Sequence, residues 1–355
     1  MPELRTARIL DDALGVTAPV DQELHRWFDA EAMRWSRLDA SMGDLVEDLR
    51  GFVLGGGKRL RPAFVLWGFA ACDRDPTEPA AVRVAAAMEL LHAFALLHDD
   101  VMDGSLRRRG APSYHVRVRA QHRADGWRGE SRRFGEGLAI LLGDLAFVYA
   151  DELIADAPTG VHGIWNEMRV ELTMGQLLDV VGAARGDRDL ERSELIALYK
   201  SGRYSVERPL QLGAALGGRL DGLGPHFTRF GAPLGEAFQL RDDLLGAFGD
   251  EVTTGKPVGD DLREGKPTVL LAYAHALASP AQRVMLDEVG RTELSNDAVG
   301  EIQQILVRCG AVDAVEGAIA VRVEAARAAL DAAPLGTDTR RALSALADML
   351  AWRDR

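Results

Sequence analysis

The chain has only two cysteines in 355 residues, Cys72 and Cys309. A secreted framework stapled by disulfides uses more, so a reducing cytoplasmic setting is expected. Aromatic residues are scarce at 6%, and no valine- and isoleucine-rich alternating run marks a strand. Alanine and leucine prevail, which suits helices better than sheets. No repeat with a period of roughly 20–50 residues is present, which excludes a solenoid. An excess of cations is also missing. Forty-two Lys and Arg stand against 54 Asp and Glu, a net charge of −12, the wrong sign for a nucleic-acid binder. The longest apolar runs are broken by Glu89 and Asp144, short of the roughly 20 residues a spanning helix needs. Met1 to Asp21 has no apolar signal core. The expectation is a soluble protein with neither a nucleic-acid partner nor a stable membrane insertion.

What the chain does have is 47% hydrophobic residues, enough for a large core. Residues 21–50 show helical spacing, with Leu24, Trp27, Phe28, Trp35, Leu38, Leu45 and Leu49 among charges. Pro62 to Ala71 reads as a short buried helix and Ala80 to Met102 as a long apolar one that ends in acids. Helices then follow at about 137–156, 161–182, 191–217, 227–248, 268–278, 294–309, 311–332 and 337–352. The connections are mostly short, as in a bundle of antiparallel neighbours. Residues 104–136 read as a basic connection without a period, with an insertion at 120–136. No composition shift marks a second domain. The chain 1–355 is therefore expected to be one all-α domain, with residues 1–20 a disordered lead-in.

Two acidic clusters carry the chemistry. Asp99-Asp100-Val101-Met102-Asp103 ends the apolar segment. At about 100° per residue Asp99 and Asp103 share one helix face, with Asp100 close by. Three carboxylates at a helix C-terminus repel one another and oppose the macrodipole, so a bound cation is the simplest compensation. Oxygen ligands with room for water and phosphate suit Mg²⁺. The second cluster is Asp242-Asp243, again after an apolar helical face. The position four beyond Asp242 is Gly246, where a third acid is missing; Asp250 lies one or two turns further. Carboxylates on facing helices of a bundle are a recurrent way to hold metal.

Cations complement them. Gly55-Gly56-Gly57-Lys58-Arg59-Leu60-Arg61-Pro62 is a glycine-rich turn in which Lys58 and Arg61 can hold phosphate oxygens. It lacks P-loop spacing and a preceding strand. Arg107-Arg108-Arg109-Gly110 follows the first acids. Lys200, Lys256 and Lys266 come later, the last two in glycine-flanked turns. His92 shares the Asp99 face two turns down.

In order along residues 52–275, these motifs resemble the trans-isoprenyl diphosphate synthases, or polyprenyl synthetases. The resemblance rests on Gly56 to Pro62, on Glu89-Leu90-Leu91-His92 through His98-Asp99-Asp100-Val101-Met102-Asp103, and on Arg108-Arg109-Gly110-Ala111-Pro112. It continues through Gly175-Gln176-Leu177-Leu178-Asp179, Phe238-Gln239-Leu240-Arg241-Asp242-Asp243 and Gly255-Lys256 to Gly265-Lys266. Lys200-Ser201-Gly202-Arg203 with its following residues is similar to the actinobacterial short-chain branch. The resemblance implies an all-helical bundle around a central cavity, working as a homodimer. It also implies head-to-tail condensation of isopentenyl diphosphate with an allylic diphosphate. Asp99, Asp100, Asp103, Asp242 and Asp243 would bind Mg²⁺, three ions per site, bridging the allylic diphosphate. Arg108, Lys200, Ser201, Gln239, Lys256 and Lys266 would serve that diphosphate. Lys58, Arg61, His92 and Arg109 would hold isopentenyl diphosphate. Gly246, where the family has a third aspartate, and Ser201, where many members have threonine, are the departures.

Product length should be set along the Asp99 helix, where Ala95, Leu91 and Met88 lie one, two and three turns below. Phe94 beside a small Ala95 resembles geranylgeranyl diphosphate synthases, with farnesyl diphosphate as the alternative product. A class I terpene cyclase needs no second diphosphate site, and a non-catalytic subunit need not keep its acids. The basic set and the five aspartates oppose both.

Overall fold

The computed structural model describes residues 10–249, 258–291 and 294–352, and among these the chain is helical almost throughout. It falls into two compact units. One runs to His162 and takes back Leu212–Arg219; the other comprises Gly163–Gln211 and the chain from Leu220.

In the first unit α1 (Ala18–Ser36), α2 (Ala40–Leu54), α3 (Leu60–Ala70) and α4 (Pro79–Met102) are followed by a short hairpin of β1 (Arg107–Arg108) and β2 (Ala111–Pro112). Then come α5 (Tyr114–Ala124) and α6 (Ser131–Leu153). Helix α4 starts on a proline at its first turn, where the missing N–H costs nothing. It is apolar nearly all round because it is the core: Ala85, Ala86, Ala87, Met88, Leu90 and Leu91 are all fully buried. Phe28 of α1, Leu49 of α2, and Phe64 and Phe69 of α3 complete that core. By length and composition α4 could cross a membrane, contrary to the sequence expectation, but two-thirds of its apolar stretch is buried inside the protein. Its Glu89 is moreover ion-paired with buried Arg59 at 2.6 Å, as in a core helix.

Residues 10–20 are helical and packed, which corrects the disordered lead-in for that stretch. Ala13 is buried and its carbonyl accepts the Trp67 indole N–H at 2.9 Å. Residues 1–9 lie outside the described residues. The stretch 104–136 is also more ordered than its sequence suggests. The strands pair Arg107 with Pro112 and Arg108 with Ala111, and α5 buries Tyr114, Val118 and His122 at four-residue spacing. Only Val118 of that stripe is aliphatic, so an aliphatic periodicity misses it. Tyr114 Oη and Arg117 both donate to Asp48 of α2, at 2.9 and 2.7 Å. The loop that follows is closed by Trp127 stacked edge-on against Phe134, centroids 5.3 Å apart.

The second unit holds the greater part of α7 (Thr159–Arg185), then α8 (Leu190–Ile196) and a π-helical segment, Ala197–Glu207. Helix α9 (Arg208–Leu216) leads out of it, and α10 (Leu220–Phe248) resumes it. The unit is completed by α11 (Asp260–Glu264), α12 (Val269–Leu277), α13 (Pro280–Leu286), α14 (Asn296–Arg308), α15 (Ala311–Asp331) and α16 (Thr337–Ala351). Helix α10 begins earlier than the spacing predicts and carries Pro225 and Pro233 within it. The expected helix 191–217 is instead three segments. Leu240, Leu244, Leu262, Leu271, Ile302, Ile319 and Val323 belong to one buried cluster that joins α10, α11, α12, α14 and α15.

Candidate active site

The end of α4 carries the first acidic set. Asp99 and Asp103 are one turn apart, the Asp103 N–H donating to the Asp99 carbonyl at 2.8 Å. Both are partly exposed, whereas Asp100 is buried at 1% exposure. Arg108 returns from the hairpin and donates Nε and Nη2 to Asp100 Oδ1 at 3.0 and 2.5 Å, with Nη2 3.6 Å from Asp99 Oδ2. The tight turn has Gly104 at φ +67° and Gly110 at φ +77°, conformations that glycine adopts without strain. Asp100 thus holds Arg108 against the acidic helix end, a charge-assisted pairing of the stronger kind.

The basic set lies in the same unit. Arg59 caps α3 in the left-handed region at φ +52°. Its buried guanidinium is tied to Asp21 at 2.8 Å, Glu89 at 2.6 Å and the Val53 carbonyl at 3.0 Å. Of the three cations of this turn, Arg59 is therefore the structural one, a task that its sequence neighbourhood does not show. On either side of it Lys58 is exposed and Arg61 half-buried. The Arg109 guanidinium reaches the same turn: Nη1 donates to the Phe52 carbonyl at 3.4 Å, and Nη2 is 3.4 Å from where a Cβ on Gly57 would stand. His92 completes the group. Its burial, together with the charges of Arg61, Arg109, Arg108 and Arg59, holds its pKa well below the usual value, so the imidazole is neutral. Lys58, Arg61, Arg109 and His92 are thus brought to one basic face, suited to a diphosphate that needs no metal bridge.

Phe94 packs against Phe147 of α6 at 4.8 Å between centroids and against His98 at 4.7 Å. Met88 and Leu91 are fully buried and Ala95 is half-buried.

The second unit carries the remaining set. Lys200 sits in the π-helical segment and donates to Asp179 Oδ2 at 2.5 Å, with Ser201 next to it half-buried. Close glycine contacts lock that segment. A Cβ on Gly175 of α7 would lie 2.8 Å from Lys200 Cα and from the Tyr199 carbonyl carbon. One on Gly235 of α10 would lie 2.6 Å from Gly202 Cα, and one on Gly231 2.7 Å from Glu207 Cα. Single π turns inside helices frequently mark functional sites. On α10, Gln239 Nε2 donates to Asp243 Oδ1 at 2.8 Å, and the Val269 N–H donates to Asp243 Oδ2 at 3.2 Å. Burial, with Asp261 and Asp179 adding to it, pushes Asp243 up to about 7. Asp242 is half-buried beside it. Lys266 is held by Glu264 at 2.8 Å and lies 3.5 Å from Asp261. Lys256 and Asp250 lie outside the described residues.

The donor chemistry fits Mg²⁺. Among the described residues no three acidic, histidine or cysteine side chains are grouped so as to hold a metal ion by themselves. One or two carboxylates, with the other positions left to water and phosphate oxygens, are the coordination this ion prefers.

The polyprenyl synthetase family model matches residues 45–306. A geranylfarnesyl diphosphate synthase of Aeropyrum pernix is 31% identical over 311 residues, 85% of this chain and 92% of that protein. A geranylgeranyl diphosphate synthase of Methanosarcina mazei is 31% identical over 316 residues, 84% of this chain and 89% of that protein. Among solved structures, a geranylgeranyl pyrophosphate synthase of Corynebacterium glutamicum, complexed with isoprenyl diphosphate and magnesium, superposes with a TM-score of 0.91. It is 36% identical, and the match covers 96% of this chain and 99% of that one. With these matches over most of its length, the chain belongs to the polyprenyl synthetase family.

Proposed function

We propose that this prenyltransferase condenses isopentenyl diphosphate head to tail with an allylic diphosphate and makes geranylgeranyl diphosphate. The observation that carries the reading is the first unit's pairing of an acidic helix end, Asp99 and Asp103, with a separate basic face of Lys58, Arg61, Arg109 and His92. The acids suit an allylic diphosphate bridged by Mg²⁺, three ions per site; the cations suit a second diphosphate. A cyclase has no use for the latter.

Mg²⁺, when bound, would neutralise charge on the leaving diphosphate. By the family resemblance, Arg108, Lys200, Ser201, Gln239, Lys256 and Lys266 would serve the allylic diphosphate with fixed positive charge and hydrogen bonds, and Asp100, Asp242 and Asp243 would join the acids that hold Mg²⁺. The allylic carbon–oxygen bond breaks, diphosphate leaves with the electron pair, and the isopentenyl double bond attacks the allylic carbon. The cation so formed loses a proton to the released diphosphate, and the new product is an allylic diphosphate five carbons longer. Neutral His92 can donate to a diphosphate oxygen without adding another repelling cation to the arginines around it. Apolar side chains along the chain-growth path would keep water from the cation. Phe94, braced by Phe147, is the floor of the chain-growth path.

The working unit is proposed to be a cytoplasmic homodimer of single-domain chains. Exposed apolar residues support pairing: Ile140, Leu141 and Val148 on α6, and Val170, Met174 and Leu177 on α7. Both cysteines are free thiols, in keeping with a reducing compartment.

Replacing Asp99 by alanine tests the metal assignment. Turnover should drop at least about 100-fold, roughly 2.7 kcal/mol of transition-state stabilisation, with the melting temperature little changed. Near-normal turnover would remove Asp99 from the site.

A further inference from the structure

Arg241 sits inside the second acidic motif, between Leu240 and Asp242, yet its side chain is engaged elsewhere. Residues two apart on a helix lie about 200° round the axis, so Arg241 and Asp243 leave α10 on nearly opposite faces. Asp243 is held from Gln239 and from the Val269 N–H. Arg241 is held from α15 and α16. Its Nη1 and Nη2 donate to Glu316 Oε1 and Oε2, both at 2.7 Å, and its Nε donates to the Ala351 carbonyl at 3.0 Å. The guanidinium carbon is 5.9 Å from the centroid of the Trp352 ring.

The guanidinium fork matches the Glu316 carboxylate two to two. Its Nε takes one of the last carbonyls of α16, which have no partner within their own helix, and a cation there meets the negative end of the α16 dipole. Apolar packing seats the same end. Ala351 is fully buried in the cluster that holds Leu240 and Leu244, which stand on either side of Arg241 in α10. The Arg241 side chain is 12% exposed but Glu316 keeps 40%, and a pair this open on one side adds little to global stability. What the three bonds fix is the roll and height of α10 at its acids.

We propose that Arg241 is a positioning residue, through which the end of α16 at Ala351 sets how Asp242 and Asp243 meet the allylic diphosphate. This rests on the chain being a prenyl diphosphate synthase that uses those two aspartates on that substrate. The basic face for isopentenyl diphosphate lies in the first unit and has its own buried pair, Arg59 with Glu89. Losing the Arg241 clamp should therefore change one Michaelis constant and spare the other.

The test is steady-state kinetics of the full chain with Mg²⁺, each diphosphate varied in turn. Hydrogen exchange of residues 238–248 is read in the ligand-free protein. Arg241→Met should raise the KM for the allylic diphosphate about tenfold, the lower end for losing a group that orients a ligand, and leave that for isopentenyl diphosphate within about twofold. Exchange in 238–248 should rise with it. Ending the chain after Ala351 leaves a carboxylate that still accepts from Nε, and should keep wild-type constants. Ending it after Leu350 removes the acceptor and should raise the allylic KM, by no more than Arg241→Met does. Adding that cut to Arg241→Met should change nothing further, because both break one contact. The substitution carries the test even where the shorter chain does not fold. A wild-type allylic KM or unchanged exchange in Arg241→Met, equal rises in both KM values, equal effects of the two cuts, or additive effects in the combined variant overturns the proposal, while wild-type condensation leaves the synthase reading standing. A wild-type chain that condenses nothing removes that reading and the proposal with it.

Discussion

Arg59 and Glu89 meet at 2.6 Å with side chains only 7% and 6% exposed, and this pair fastens the glycine-rich turn to α4. The turn carries Lys58 and Arg61, and α4 carries His92, so the buried pair fixes the spacing of the basic face. Removing one partner of a buried ion pair leaves the other uncompensated, which typically costs about 3–5 kcal/mol. Glu89→Ala is expected to destabilise the protein by about 3 kcal/mol in urea unfolding, and to raise the KM for isopentenyl diphosphate more than that for the allylic substrate. Equal changes in the two KM values would contradict the positioning role.

His92 gives the fold a pH dependence of known sign. The folded chain holds the imidazole neutral to well below its ordinary pKa. As pH falls through about 6.5, the unfolded chain takes up a proton that the folded chain refuses, so stability is lost on acidification. The loss from this group is at most about 1.4 kcal/mol per pH unit. His92→Gln should therefore show a smaller drop in melting temperature between pH 7.5 and 5.5 than the wild type. An identical drop would mean that the imidazole is freely protonated in the fold.

Gly175 is the point at which α7 accepts the π-helical segment. The atoms in its way are the backbone of Tyr199 and Lys200, which cannot rotate aside as a side chain can. Gly175→Ala should cost about 1–3 kcal/mol as overpacking, and should lower kcat by displacing Lys200 from Asp179. Wild-type kcat and melting temperature together would show that the segment gives way at no cost.

Phe94 is wedged against Phe147 and His98 rather than pointing into solvent. Phe94→Ala should lengthen the product by at least one five-carbon unit, as read by chromatography of the dephosphorylated prenols. Unchanged length would remove Phe94 as the floor.

The helical class and most helix positions were legible in the sequence because each is written locally as a period, and the acidic and basic runs stand out as short motifs. Four features were not legible. Arg59 looks like its neighbours Lys58 and Arg61; only its contact with Glu89, thirty residues away, separates it from them. Helix α5 hides because Tyr114 and His122 do the burying. The π-helical segment has no periodicity of its own and is held by glycine contacts from two other helices. Asp261 of α11 packs against Gly246 of α10, a contact between two elements that no single-motif reading can see. Ion pairs and close backbone approaches between distant positions are set by tertiary packing, so they surface only with coordinates.

The most direct test of the central claim is product analysis of the purified chain with Mg²⁺, isotopically labelled isopentenyl diphosphate and farnesyl diphosphate. The account predicts labelled geranylgeranyl diphosphate, one diphosphate released per condensation, and no product in EDTA or without isopentenyl diphosphate. Hydrocarbon released from geranylgeranyl diphosphate alone, or no prenyl diphosphate from any allylic starter, would contradict it.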